Sequence, residues 1–349
     1  MGTRLSASLT SALAAAALFL GVQAPQAQTI DLKLANFLPQ PHVVSRWLDD
    51  WAAEIAEKSD GRLTITMFHG AQMGPVPRHY DIARTGQADL AYFMHGGTPG
   101  RFPVTEISNL PFLFCSAQQA MNVLNDPELR DGFLVPEHRG VEVMMLFAHP
   151  PGQLNASRRE VTRIEDLDGM AIRPPSQATA EFLETMGVRP VGLPVNELAE
   201  GLQRGTIDAL LTDYGAAGLA WQLGPYIRHV TEIFAYTTSM GLVANPDSLE
   251  RLPEDLRALL VASLEDRVNE VARAWDALDG VGKQALIDAG ATITVLEPAE
   301  MERLHDRGRE ASDRWAATVD AGGAPGSDAL ALMRALIEKY PGSEYGCAG

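Results

Sequence analysis

The sequence predicts an α/β fold of two lobes, and three observations carry that expectation. Strand and helix patterns alternate from residue 30 onward, one helix–glycine–strand pattern occurs twice, and a long amphipathic run lies near the C-terminal end. Alternation of βαβα type marks a fold that layers helices on a largely parallel sheet. At 349 residues and 46% hydrophobic composition, the chain is long enough to fill two cores.

The elements follow in order. "IDLKLANFL" (30–38) reads as a strand, and the apolar spacing from Val44 through Ile55 to Ala56 as an amphipathic helix. "GRLTITMF" (61–68) is a second strand by its branched, alternating residues. The repeated pattern is "YDIARTGQADLAYF" (80–93) and "LAEGLQRGTIDALLTDY" (198–214). In each, a glycine, Gly86 or Gly205, supplies the left-handed cap that ends a helix before the chain enters a buried strand. Two copies suggest two similar lobes, although such αβ turns are also common within a single sheet. From Pro253 to Ala289 apolar residues recur by threes and fours: Leu256, Leu259, Leu260, Leu264, Val268, Val271, Trp275 and Leu278. A continuous helix there would reach roughly 55 Å, beyond one small domain, with a bend expected at Gly280 and Gly282. "DAGGAPGSD" (320–328) reads as a loop.

The first 27 residues have a different character. Arg4 precedes an apolar run from Leu9 to Val22 and then small residues, the pattern of a secretory signal peptide. Cleavage is expected after Ala27 in preference to Ala24, which would place Pro25 directly after the cut. The mature protein is then expected to be exported. Net charge is −17, and the leader carries only one charged residue, so the mature chain is slightly more acidic still. That balance, without basic runs, excludes a nucleic-acid binder. It also means that an anionic ligand needs a dedicated local cation. Two cysteines, Cys115 and Cys347, are too few for a disulfide scaffold or a cysteine-based zinc site, but in an oxidising compartment they are expected as a possible pair.

One residue stands where such a cation would be useful. In "LDGMAIRPPSQ", Met170-Ala171-Ile172 reads as a buried strand and Pro174 holds Arg173 in extended geometry. A strand that ends on arginine directs a planar fork, the group that matches a carboxylate. The alternative is an ordinary ion pair with Asp168 or Glu181. Enzyme signatures are absent: no G-x-S-x-G, H-E-x-x-H, C-x-x-C, P-loop or strand-following G-x-G-x-x-G occurs, and the eight histidines show no metal-ligand spacing. No metal or cofactor is expected.

The stretch "EDLDGMAIRPPSQATAEFLETMGVRPVGLPVNELAEGLQRGTIDA" closely resembles the central segment of the DctP-type solute-binding proteins of tripartite ATP-independent periplasmic (TRAP) transporters. "HGGTPGRFPVTEISNLPFLF" (95–114), "LFAHPPGQLNAS" (146–157) and "SLERLPEDLRALL" (248–260) are similar to further motifs of that family, so the resemblance covers essentially the whole mature chain.

The resemblance implies two lobes of the periplasmic-binding-protein type, joined by crossing strands, braced by a long helix and closing on a small organic acid. Lobe I is expected over 28–149 and 237–275, and lobe II over 150–236 and 276–349. The family's ligand-binding arginine maps onto Arg173. Asn36, His42, Phe93, His95, Gln153, Thr212, Asp213 and Tyr214 are further candidates, with core packing the competing role for Phe93 and Tyr214. Family members that bind sialic acid carry an asparagine where this chain has Thr212, Asp213 and Tyr214, and a second arginine near Gly152 and Gln153. Its loss here suggests a monocarboxylate. Delivery to the two membrane subunits of a TRAP permease, by a monomer that catalyses nothing, is the implied role. A lyase- or dehydratase-like enzyme or a ligand sensor on the same fold are the alternatives.

Overall fold

The computed structural model describes residues 29–342. The expected leader and Cys347, with its pairing to Cys115, lie outside the described residues. The strands are β1 Ile30–Asn36, β2 Leu63–Phe68, β3 Leu90–Met94, β4 Glu142–Ala148, β5 Gln153–Ala156, β6 Ala171–Arg173, β7 Arg189–Pro190, β8 Ala209–Thr212, β9 His229–Glu232, β10 Ser239–Ala244 and β11 Thr292–Val295. They form a five-stranded sheet ordered β2-β1-β3-β10-β4 and a six-stranded sheet ordered β11-β9-β5-β8-β6-β7. Among the described residues no helix is long and apolar enough to cross a membrane.

Both copies of the repeated pattern end as the glycines require. Gly86 and Gly205 sit at φ 71° and 76°, in the left-handed region that costs glycine nothing. The chain then enters β3, parallel to β1, in one sheet and β8, parallel to β6, in the other. Each sheet has its own core. Trp51, Tyr92, Phe93 and Phe147 are buried in the first lobe; Ile172, Phe182 and Leu211 form one cluster of the second lobe, and Leu210, Tyr214 and Val230 another. Each such side chain contributes about 1.5–3 kcal/mol by leaving water.

Two segments cross between the sheets, 149–152 from β4 to β5 and 233–238 from β9 to β10. They are tied to each other: Gly152 N–H donates to the Tyr236 carbonyl and Ala235 N–H to the Gly152 carbonyl, both at 2.8 Å, and Thr237 Oγ1 donates to the His149 carbonyl. Two linked strands that cross together form a hinge.

The long amphipathic run is not one helix. Glu254–Ala262 and Val268–Asp288 are separate. Asp266 turns left-handed at φ 59°, and Ser263 Oγ accepts from Trp51 Nε1 at 2.8 Å while donating to the Leu260 carbonyl. The second piece nevertheless spans the lobes: Val271, Ala272 and Trp275 belong to the first core and Leu286 to the second lobe. It runs through Gly280 and Gly282 without ending. Two expected boundaries also shift. The helices Pro298–Ala321 and Gly326–Lys339 consume most of the supposed loop at 320–328. Ala316, Val319, Leu330, Met333 and Leu336 pack in the first core, so 276–349 does not belong as a whole to lobe II.

Gly282 has a packing role. A Cβ there would meet the Tyr214 carbonyl oxygen at 2.3 Å and Gly215 Cα at 2.7 Å. These are backbone atoms, which cannot rotate aside. Gly282→Ala is therefore expected to destabilise the fold by about 1–3 kcal/mol through overpacking, outweighing the roughly 1 kcal/mol that alanine gains over glycine in a helix. Urea unfolding measures it; an unchanged or higher midpoint would show that the helix can move off the second lobe at no cost.

Candidate ligand-binding site

The carboxyl ends of β6 and β8 in the second lobe face the crossing segments, the place where open α/β sheets take their ligands. Arg173 is the last residue of β6 and pairs in register with Leu210. Its guanidinium is half-buried, and its one hydrogen bond among the described residues is weak, Nε to the Leu193 carbonyl at 3.4 Å. No carboxylate among the described residues lies within ion-pair distance of it, and Glu181, one of the two local acids considered, is exposed. Burial pushes the Arg173 guanidinium below its ordinary pKa, with Tyr236 opposing. A desolvated guanidinium without an anion is an unfavourable arrangement that a bound carboxylate relieves.

Around it stand residues from every connecting element. Tyr236, from the second crossing segment, is buried, and its hydroxyl donates to the Leu211 carbonyl at 3.3 Å. Burial, then Asp213, push that phenol up, while Arg173 pulls it down; Tyr236 thus lies within the field of both charges. Gly152 admits this ring, since a Cβ there would fall 2.2 Å from it. His149, in the first crossing segment, packs edge-on to Tyr236 at 5.3 Å and approaches Trp275 at 6.4 Å. His149 Nε2 accepts from Thr238 N–H at 3.0 Å, so in the neutral ring the proton is on Nδ1, facing the Pro150 carbonyl.

From the first lobe comes His42, whose Nδ1 caps the Val43–Lys58 helix by accepting from Val44 N–H and whose ring packs edge-on to Trp275 at 5.4 Å. Burial lowers its pKa to about 4, against an opposing pull from Asp213. Asp213 follows β8 directly. Its Oδ1 accepts from Ala216 N–H at 2.8 Å, and its Oδ2 lies 3.9 Å from His149 Nδ1. Neighbouring Asp279 accepts from Gly215 N–H, and burial followed by Asp213 pushes its carboxyl well up.

The structure thus gathers Arg173, Asp213 and His42 with Thr212, the buried last residue of β8. The other five expected residues have their side chains engaged in internal contacts. Asn36 is buried, with Nδ2 on Ser45 Oγ and His69 Nδ1 and Oδ1 accepting from Leu38 N–H, so its polar atoms serve the β1 turn. Gln153 Oε1 accepts from Ile233 and Phe234 N–H, which ties the crossing segments together. Phe93 packs edge-on against Tyr80 and His95 and tilted against Phe102 within the first core. His95 is locked there to His138 and Ser239. Tyr214 points into the second lobe, where its hydroxyl donates to Glu232 at 2.9 Å beside Lys283. His149, Tyr236 and Trp275 were not among the candidates. Nothing in a lone histidine, in "FAYTT" or in one apolar position of a helix marks them, because the hinge brings them together from far apart in sequence.

A groove of about 570 Å³ lies elsewhere, beside edge strand β4, lined by Met144, Leu249, Val261 and Val268 with Arg130 and Arg257. It shares no residue with this cluster. Among the described residues no three His, Cys, Asp or Glu side chains are grouped to hold a metal.

A cation and a hydrogen-bonding wall set between two hinged lobes define a protein that captures a ligand. The chain belongs to the DctP family, the bacterial extracellular solute-binding proteins of family 7, whose model matches residues 34–318. It is similar to a solute-binding protein of Chromohalobacter salexigens, 24% identical over 283 residues, 78% of this chain and 82% of that one. Among solved structures it is similar to a TRAP solute-binding protein of Rhodoferax ferrireducens with copurified benzoate, at TM-score 0.81 and 26% identity over 89% of this chain and 98% of that one. Another, from Bordetella bronchiseptica with bound (R)- and (S)-mandelate, has TM-score 0.75 and 28% identity over 89% and 99%.

Proposed function

We propose that this solute-binding protein captures a small organic acid between its lobes, the carboxylate on Arg173, and delivers it to a TRAP-type membrane permease as an exported monomer. The observation that carries this is the half-buried Arg173 guanidinium at the carboxyl end of β6 with no carboxylate within ion-pair distance among the described residues. Benzoate and mandelate in the two similar proteins support the ligand class. The test is a thermal-shift screen of carboxylic acids, in which ligand at one hundred times its Kd stabilises the fold by about 2.7 kcal/mol. A panel without a hit would reject the reading, and a hit recovered chemically altered after incubation would favour an enzyme.

Binding is expected to close the hinge, because the site draws on both lobes and a ligand in contact with both favours the closed state. Small-angle scattering should then show a smaller radius of gyration at saturating ligand. An unchanged radius would reject closure.

A further inference from the structure

One aromatic side chain of the first lobe is seated in the second. Leu110 and Phe114 are buried in the first core, but Phe112 between them packs against the second-lobe cluster that holds Phe182 and Leu304. Its ring lies edge-on to Phe182, on the helix Gln177–Glu184, at 5.4 Å and tilted to His305, on the helix Pro298–Ala321, at 5.1 Å. Gly308 makes room for it, since a Cβ there would fall 2.5 Å from Phe112 Cδ2.

The backbone under the ring is strained. Phe112 has φ 58°, a left-handed conformation that a bulky residue keeps only where its surroundings impose it. Its N–H donates to the carbonyl of Ala235, in the second crossing segment, at 3.2 Å. Phe234, directly before that acceptor, is left-handed too, at φ 45°. Ala235 N–H in turn donates to the Gly152 carbonyl of the first crossing segment, so Phe112 is tied to the hinge as well as to the second lobe. The seat of the ring and this hydrogen bond outweigh the strain.

In the present arrangement the site is assembled across the cleft. His42 of the first lobe packs on Trp275, Trp275 approaches His149, and His149 lies 3.9 Å from Asp213 of the second lobe. Swinging the second lobe away carries Phe182 off the Phe112 ring, whose neighbours Leu110 and Phe114 stay in the first core. The ring therefore resists opening.

We propose that Phe112 is a latch between the lobes, whose seat against Phe182 and Gly308 favours the arrangement in which the site residues face one another and so sets how readily the empty protein opens. This rests on the reading that the lobes close on a ligand. An aromatic contact of this kind corresponds to roughly 2- to 10-fold in an equilibrium constant.

The test is small-angle scattering of the empty mature protein as wild type, Phe112→Ala, Phe112→Gly and Gly308→Ala, beside calorimetric titration with benzoate as probe. The expected result is a larger radius of gyration for each empty variant than for empty wild type. Benzoate should bind the variants about 2- to 10-fold more weakly, because only the closed fraction is competent, and at saturation the four radii should coincide. Phe112→Gly removes the ring and the backbone penalty together, so its urea midpoint should exceed that of Phe112→Ala while its empty particle is still expanded, which separates the latch from stability. Adding Gly308→Ala to Phe112→Ala should change neither radius nor Kd further, since no ring is left to displace. Folded variants whose empty radius and Kd match wild type would overturn the latch and leave Phe112 as core packing. Should Phe112→Ala fail to fold, Gly308→Ala decides alone, with every core side chain still present. The empty radii need no ligand: expanded variants with no acid of the screen bound would keep the latch and reject the carboxylate site.

Discussion

Replacing Arg173 by alanine is expected to weaken binding of the acid by about 3–5 kcal/mol, or roughly 10²- to 10⁴-fold in Kd, because the carboxylate is then enclosed without its counter-charge. The backbone at Arg173 is extended and pinned on β8 through Leu210, so the fork is aimed before the ligand arrives and little entropy is lost in using it. Arg173→Lys should fall between wild type and alanine, since lysine keeps the charge and loses the two parallel donors. The fold should survive both changes, because the guanidinium makes one long hydrogen bond and no ion pair among the described residues. Removing a desolvated cation can even raise the stability of the empty protein. Calorimetric titration with an acid from the panel, beside urea unfolding of the same variants, separates the two effects. A loss of only a few-fold in the alanine variant would show that another group holds the carboxylate.

How much of this was legible in the sequence differs from residue to residue, for physical reasons. The strand end at Arg173 was readable because proline acts locally: Pro174 fixes the residue before it whatever the rest of the chain does. Gly86 and Gly205 were readable for the same reason, each ending a helix through its own φ. The break at Ser263–Arg267 was not, because it depends on Trp51, 212 residues away in sequence, whose indole holds Ser263. Amphipathic spacing continues across the break, so periodicity has nothing to report there. The packing role of Gly282 was not readable either, because its cause is a neighbour, the 214–215 backbone, and not the helix itself. Polar candidates failed in a consistent way: Asn36, His95 and Gln153 are buried and polar, as ligand residues are, but their atoms are consumed by internal partners. Sequence shows that a polar residue sits near a strand end. Only the coordinates show whether its hydrogen-bonding capacity is already spent.

The buried histidines of the first lobe should make the protein lose stability in acid between about pH 6.5 and 4. Leu134 can only accept, so His138 carries its proton on Nδ1, 2.8 Å from that carbonyl. Its neutral Nε2 must then accept from His95 Nε2–H at 2.9 Å, and His95 Nδ1 accepts from the Ser239 hydroxyl at 3.0 Å, which in turn receives Ser108 Oγ–H at 2.8 Å. A proton added to His138 Nε2 would set two N–H groups against each other, and one added to His95 Nδ1 would make the Ser239 hydroxyl give up its donation. Both rings are buried among Phe93, Phe102 and Tyr80. Burial lowers His138 to about 4, with nearby Arg101 adding to it, and burial, with His138 beside it, holds His95 well below its ordinary value. A depressed histidine keeps its full stability above the unfolded value near 6.5. As pH falls below that, the unfolded chain binds protons that the fold refuses, and the loss continues until the folded value is reached. For His138 alone the window from 6.5 to about 4 corresponds to about 3 kcal/mol, at roughly 1.4 kcal/mol per unit. Urea midpoints measured from pH 7.5 to 4.5 should therefore be level down to about 6.5 and then decline, and in nuclear magnetic resonance the two ring signals should stay at their neutral positions at pH 5.5. Ring titrations centred near 6.5, or midpoints flat to pH 4.5, would show that the first lobe admits a proton into this network.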